Sequence, residues 1–216
     1  MSLFVVVGLR AEARLARRLR VPVVVGGGTT AGAAAAAARA VAAGASGLVS
    51  FGLAGGLDPA SRPGLLLVPT SVLCDGRWHE ADPTIVAWLG GATPHRLLAA
   101  DALAVSVGDK RRLWRETGAT ALDLETGAVV RAALAHRLPF GVLRAVCDPA
   151  EHDLPPAALA ALDARGAIGA ERVASSVLAR PGQVPTLLRL ARAAAAGRRA
   201  LARQVWEVRR RHRAPR

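Results

Sequence analysis

Apolar residues fall along this chain in short unbroken runs. "LFVVVG" (3–8), "VPVVVGG" (21–27), "SGLVSFGLAGG" (46–56), "GLLLVPTSVL" (64–73), "ALAVSV" (102–107), "ATALDL" (119–124) and "PFGVLRAVCD" (139–148) each predict a strand. Helical segments stand between them. "RAEARLARRLR" (10–20) is basic, and "TTAGAAAAAARAVAAG" (29–44) has Thr29 or Thr30 as N-cap and Gly44 as its stop. "DKRRLWRETG" (109–118) closes on Gly118, "ETGAVVRAALAHRL" covers 125–138, and two more helices fill 155–180. A last helix starts near Pro185. Strands with almost no polar alternation, separated by helices, predict an α/β fold whose sheet is buried on both faces.

With 216 residues and 52% hydrophobic content, the chain is long enough for one α/β domain with a real core. The linker-like "RPGQVP" (180–185) divides it into a body, 1–180, and a C-terminal extension, 181–216. The formal charge of +13 points to a nucleic-acid or anionic-membrane partner until its distribution is examined. From Arg180 to Arg216 there are eleven Arg against one acid, Glu207. The body is close to neutral.

Cys74 and Cys147 are far apart, in no metal-ligand spacing, and the five His are scattered. No structural zinc, disulfide framework or cofactor is called for, and two isolated thiols suit a reducing cytoplasm. The N-terminus reads as a first strand and not as a signal peptide. The Ala-rich segment is interrupted by Arg39 and is too weakly hydrophobic for a transmembrane span. The glycines do not fit a dinucleotide loop: Gly8 stands alone after the first strand, and "GGGTT" has no acid about 20 residues on.

The run "VSFGLAGGLDP" (49–59) is different. Gly52, Ala54, Gly55 and Gly56 leave only Leu53 with a bulky side chain at the end of the third strand. Either the backbone bulges there, or something lies so close that a Cβ would collide with it. Acids occupy neighbouring strand ends: Glu12 past the first, Glu125 after "ALDL", and Asp148 closing "PFGVLRAVCD". The carboxyl ends of parallel strands form the ligand crevice of α/β sheets. Each acid alone reads as a cap or a turn residue; together they mark a site.

The motifs "FGLAGGLDPASRPGLLLVPTSV", "GRWHEAD", "ALDLETGAV" and "LPFGVLRAVCDPAEHDLP" resemble the nucleoside phosphorylase and nucleosidase family. The pattern is similar to that of the methylthioadenosine/S-adenosylhomocysteine nucleosidases. "SFGLAGGLDP", "CDPAEHDLPPAAL" and "RPGQVPTLLRLAR" most resemble the hopanoid-associated phosphorylase subgroup, which is associated with removing adenine from adenosylhopane. The resemblance implies a three-layer α/β/α sandwich around a mixed, mostly parallel sheet, to which the spacing of residues in the extension adds a basic amphipathic C-terminal helix.

It also implies roles. Cleaving an N-glycosidic bond passes through an oxocarbenium-like sugar and needs a proton for the leaving base, a nucleophile and negative charge near the ribose. Asp148 matches the family's strand-end acid that meets the purine, with Cys147 in place of the usual serine. Leu124 and Glu125 match its ribose-binding Met-Glu pair. Ala54, Gly55 and Gly56 match its nucleoside-facing Ala-Gly-Gly, while Leu53 stands where relatives often carry a hydroxyl. Glu12 resembles the acid that activates water, and Arg10 is a candidate phosphate ligand. Ser50 or its neighbours occupy the place where many phosphorylases carry a phosphate-binding arginine, so water and phosphate both stand as nucleophiles. The "GRWHEAD" segment matches one near the site and the subunit contact, and family members are commonly dimers or larger homo-oligomers.

In the extension, Leu187, Leu190, Ala191, Ala194, Leu201, Val205 and Val208 recur at helical spacing, and Arg189, Arg192, Arg199 and Arg203 fall largely elsewhere on the wheel. This helix either docks on the domain or lies on an anionic lipid surface. Three functions follow: an enzyme releasing adenine from a lipid-linked adenosine, a soluble nucleosidase for methylthioadenosine or adenosylhomocysteine, and a non-enzymatic binding module driven by the tail. The near-neutral body argues against nucleic acid. The expected place is the cytoplasm, with peripheral membrane contact if the tail binds lipid.

Overall fold

Every side chain of β1 (Leu3–Val7) is buried, as its unbroken apolar run predicts. A computed structural model describes residues 2–161 and 170–212. Strand β1 pairs in parallel with β2 (Val23–Val25) on one side and with β3 (Gly47–Gly56) on the other. Between them run α1 (Arg10–Ala16) and α2 (Thr30–Ala42), the latter capped by Thr29, whose hydroxyl accepts the Gly32 N–H.

Strand β3 organises the sheet. Its first part pairs in parallel with both β1 and β9 (Phe140–Asp148), and its last two residues pair antiparallel with β8 (Ala121–Asp123). Strand β8 continues in parallel to β7 (Leu97–Ala99), which pairs with β5 (Ser71–Cys74). The edge is β6 (Arg77–Glu80), antiparallel to β5, and β4 (Leu66–Leu67) lies antiparallel on β9. The sheet is mixed and mostly parallel.

Helices cover both faces. Helices α1 and α8 (Val184–Arg211) lie on one side; α2 and α5 (Thr126–Ala135) lie together on the other. Helix α3 (Pro83–Trp88) packs over the starts of β3 and β9, where Ile85 meets Gly47 and Gly141. Helix α4 (Val107–Thr117) precedes β8, and α6 (Pro156–Ala161) and α7 (Ala170–Ala179) follow β9. The expected three-layer sandwich is the observed one.

Several local expectations are corrected. The single strand over 64–73 is two, β4 and β5, parted at Pro69, which has no N–H for a ladder. Residues 102–105 form no strand, and Ser106 instead caps α4 by accepting the Asp109 N–H at 3.0 Å. A side chain that can satisfy a helix end competes with strand pairing, and here it wins. Strand β7, helix α3 and the β5–β6 hairpin were not foreseen. The hairpin had a signal: Asp75 and Gly76, both at positive φ, are the pair that its two-residue turn demands. Of the two helices expected over 155–180, residues 162–169 lie outside the described residues.

The C-terminal helix docks. Ala200, Leu201, Val205 and Val208 are buried in the same core as β1 and β3. At Gly197 the helix lies so close to the sheet that a Cβ would sit 2.8 Å from Leu53 Cδ2 and 3.1 Å from the Val146 carbonyl. Arg189, Arg192, Arg199 and Arg203 are exposed. Among the described residues no helix is long and apolar enough to cross a membrane.

Candidate active site

The site gathers where β3 and β9 end. Their register slips by one residue there: Ala54 pairs with Val146, but Gly55 pairs with Asp148, so Cys147 is the bulged residue. Bulges of this kind re-aim the side chain that follows. A Cβ built on Gly55 would stand 3.7 Å from Asp148 Oδ2 and 4.0 Å from Leu122, in ordinary van der Waals contact with both.

Glu12 lies in the first turn of α1 and is buried. Its Oε2 accepts the Leu9 N–H at 2.8 Å, which caps its own helix, and its Oε1 accepts the Leu53 N–H at 2.9 Å. Burial pushes the Glu12 carboxyl up to about 7, and the nearby Glu125 adds to the rise, against the pull of Arg144. A carboxyl at that value gains and loses its proton near neutrality, as a general base must.

Arg144 is the residue that sequence reasoning missed. It stands in the middle of β9, fully buried, and its guanidinium joins two acids at the end of β8 to polar groups of β3. Nη1 pairs with Glu125 Oε2 at 3.0 Å and donates to the Leu53 carbonyl at 3.1 Å. Nη2 pairs with Asp123 and donates to Ser50 Oγ at 2.8 Å and Thr126 Oγ1 at 3.3 Å. Burial works against its charge, but Asp123, Glu125 and Glu12 more than offset this and hold it ionised. One Arg inside an otherwise apolar strand was the available signal, because an unpaired charge there would be untenable.

The hydroxyls around Arg144 have one consistent arrangement. Thr126 Oγ1 donates to Asp123 Oδ2 at 2.7 Å, so in its 2.8 Å contact with Ser50 the serine donates. Ser50 is therefore a member of the Arg144 network. Asp123 is pushed up by burial, with Arg144 opposing. Three carboxylates around one guanidinium leave the cluster with net negative charge, which stabilises a cation forming beside it.

The glycines divide by function. A Cβ at Gly52 would fall 2.6 Å from both Arg144 Nη1 and Glu12 Oε1, and one at Gly8 would fall onto the Glu125 carboxylate. A Cβ at Gly56 would meet Ser61 Oγ. At Gly55, by contrast, a Cβ would find only ordinary van der Waals contacts, with Asp148 and Leu122. Ala54 is buried in the β3–β9 ladder. Leu124 lends its carbonyl to the Thr30 hydroxyl at 3.0 Å, joining the start of α2 to the β8 end. Arg10 opens α1 and is exposed, outside the buried acid cluster.

Asp148 is mostly buried, and Lys110 of α4 lies 2.7 Å from its Oδ2. Burial raises this carboxyl and Lys110 pulls it back, with a raised value as the outcome. A cavity of about 400 Å³ extends from Asp148 between residues 149–155 and α8, with Pro63, Pro149, Pro155, Leu190 and Ala196 along its wall. Nothing in the sequence tied Lys110 to Asp148, which are 38 positions apart.

The geometry can be set beside known proteins. A model of the phosphorylase superfamily matches residues 92–179, a span that includes Lys110, Asp123, Glu125, Arg144 and Asp148. No curated protein sequence matches. Solved structures do. Futalosine hydrolase of Helicobacter pylori has 16% identity and a TM-score of 0.63, over 82% of this chain and 97% of that one. The S-adenosylhomocysteine nucleosidase of Streptococcus pyogenes, in complex with 5-methylthiotubericidin, has 16% identity and a TM-score of 0.64, over 86% and 98%. The 5′-methylthioadenosine/S-adenosylhomocysteine nucleosidase of S. pneumoniae, with a transition-state inhibitor, has 18% identity and a TM-score of 0.63, over 83% and 97%. The chain thus has the fold of these nucleosidases, and over residues 92–179 its resemblance to the phosphorylase superfamily is borne out by that superfamily's own model.

Proposed function

We propose that this protein cleaves the N-glycosidic bond of a purine nucleoside and releases adenine. The observation that carries the reading is the two groups of acids at the end of β3: Asp148 beside Gly55, and Glu12 and Glu125 around Arg144, with Glu12 bonded to the Leu53 N–H. The division suits the reaction. Asp148 protonates the leaving purine, the Glu125 carboxylate anchors the ribose hydroxyls, and the negative cluster stabilises the oxocarbenium ion. Leu124 and Ala54 complete the wall of the nucleoside site.

Water is the nucleophile in this reading, with Glu12 as its base. Arg144, a buried guanidinium at the site, already pairs with Asp123 and Glu125, so a phosphate dianion there would face carboxylates. Phosphorolysis would require Arg10 to turn inward from the surface.

The substrate we infer is an adenosine with a large apolar 5′ substituent, of the adenosylhopane type. The subgroup motifs support it, as does the apolar wall of the cavity beside Asp148. The smaller nucleosides cleaved by methylthioadenosine/S-adenosylhomocysteine nucleosidases are the second reading, favoured by the fold comparison. The exposed Arg residues and Trp206 of α8 support peripheral contact of a cytoplasmic protein with an anionic membrane. The exposed Trp78 on β6, in the segment resembling a family subunit contact, supports a homo-oligomer.

Free adenine, assayed from 5′-substituted adenosines with and without phosphate, tests substrate and nucleophile together. Release from a 5′-alkyl adenosine without phosphate is expected. Release only with phosphate present would overturn the hydrolytic reading, and no release from any of the set would overturn the function.

A further inference from the structure

Lys110 is almost wholly buried, a rare state for an ammonium group and one that costs several kcal/mol unless paired. It also stands in the first turn of α4, where the helix dipole disfavours a cation. Neither helix formation nor solvation accounts for it. Its three N–H donors are all taken: by Asp148 Oδ2 at 2.7 Å, the His152 carbonyl at 2.7 Å and the Pro149 carbonyl at 3.0 Å. Three donors on three oxygens fit the ammonium form, since a neutral amine would turn a lone pair toward an oxygen.

We propose that Lys110 is a positioning residue for the leaving-group step: it grips Asp148 by one carboxyl oxygen, leaves the other for the nucleobase, and stabilises the carboxylate that proton transfer creates. The inference rests on the N-glycosidase reading. As the bond between C1′ and the purine breaks, its electron pair stays with the base. The O–H bond of the Asp148 carboxyl breaks and an N–H bond forms on the purine. The negative charge lands on Asp148 beside a fixed ammonium. Without Lys110 a buried carboxyl would hold its proton too tightly to give it up. The other titratable groups lining the cavity beside this carboxyl are His152, Glu151 and Asp153 on the following loop, Arg62 from the β3–β4 connection, and Arg189 and Arg192 from α8.

The test compares leaving groups. Adenine must be protonated to depart, whereas the 4-nitrophenolate of 4-nitrophenyl riboside departs as the anion. Lys110→Met should slow adenine release by ~10²-fold or more, within the range of general-acid effects. It should leave nitrophenyl riboside cleavage within about threefold of wild type, and move the alkaline fall of kcat/KM for adenosines to higher pH. Equal losses on both substrates, with an unmoved pH profile, would overturn the proposal. Lys110→Arg covers a Met variant that does not fold: it keeps the charge and should keep the ratio of the two rates, and a ratio lowered ~10²-fold would count against the assignment. If the wild type cleaves neither substrate, the N-glycosidase reading itself has failed. The pairing is then read by ¹³C NMR titration of Asp148, assigned with Asp148→Asn. An ionisation that rises on removing Lys110 supports the pairing, and one that stays put overturns it.

Discussion

The Glu12 carboxylate accepts the Leu53 N–H at 2.9 Å, tying the first turn of α1 to the end of β3, 41 positions away. The same carboxylate caps α1 through Leu9, so the residue that we assign as base is held by both of its oxygens to backbone. A base fixed in this way does not have to be ordered when substrate arrives.

Replacing that base separates chemistry from architecture. Glu12→Gln keeps the shape and one acceptor oxygen but turns an amide N–H₂ toward one of the two backbone donors. Adenine release should fall by ~10²–10⁴-fold, while unfolding free energy changes by only about 1–3 kcal/mol. Steady-state kinetics beside urea denaturation measures both; a variant with wild-type kcat would remove Glu12 from the mechanism.

The raised Glu12 value sets a pH window. At about 7, against an ordinary value of 4.5, the folded protein holds this proton after the unfolded chain has lost it. Stability from this group is therefore present at pH 4.5 and is lost as pH rises through about 7. Activity runs the other way, since a base must be ionised: kcat/KM should fall roughly tenfold per pH unit below the Glu12 value. If the sign is right, the melting temperature of wild type should fall relative to that of Glu12→Gln as pH rises from 5 to 8.

Arg144→Met leaves Asp123 and Glu125 buried without their cation. Losing one partner of a buried ion pair costs about 3–5 kcal/mol, so this variant should be the least stable of those described here. Arg144→Lys should recover little, because a single ammonium cannot reach Asp123, Glu125, Ser50 and Leu53 together. Adding Asp123→Asn to Arg144→Met should restore part of the loss, and urea titration reads all three.

Two glycine substitutions should fail differently. Gly52→Ala drives a methyl into Arg144 and Glu12, so it should lower both stability and activity. Gly55→Ala meets nothing closer than 3.7 Å, so its stability should stay within about 1 kcal/mol of wild type while KM rises. A Gly55→Ala enzyme with unchanged KM would show that the substrate does not pass over that residue.

Much of the sheet was legible because its signal is local. β1, β2, β3, β8 and β9 lie in largely apolar runs bounded by turn residues, and Thr29, Gly118 and the α8 stripe follow helix rules at short range. The failures came where two local preferences compete. Val105 and Val107 favour a strand, yet Ser106 between them caps a helix. Pro69 splits an apolar run that hydropathy alone joins.

Apolar patterning and the acids at the strand ends were enough to determine the α/β class and to bring Glu12, Glu125 and Asp148 forward, because burial of strands and the crevice at their ends are general consequences of that class. Which charges meet was settled only by the folded chain. Arg144 among the acids, Lys110 on Asp148, and Gly52 yielding room to Arg144 and Glu12 all depend on contacts between distant segments. Electrostatic partnership falls off with distance in space, and separation along the chain carries no record of it.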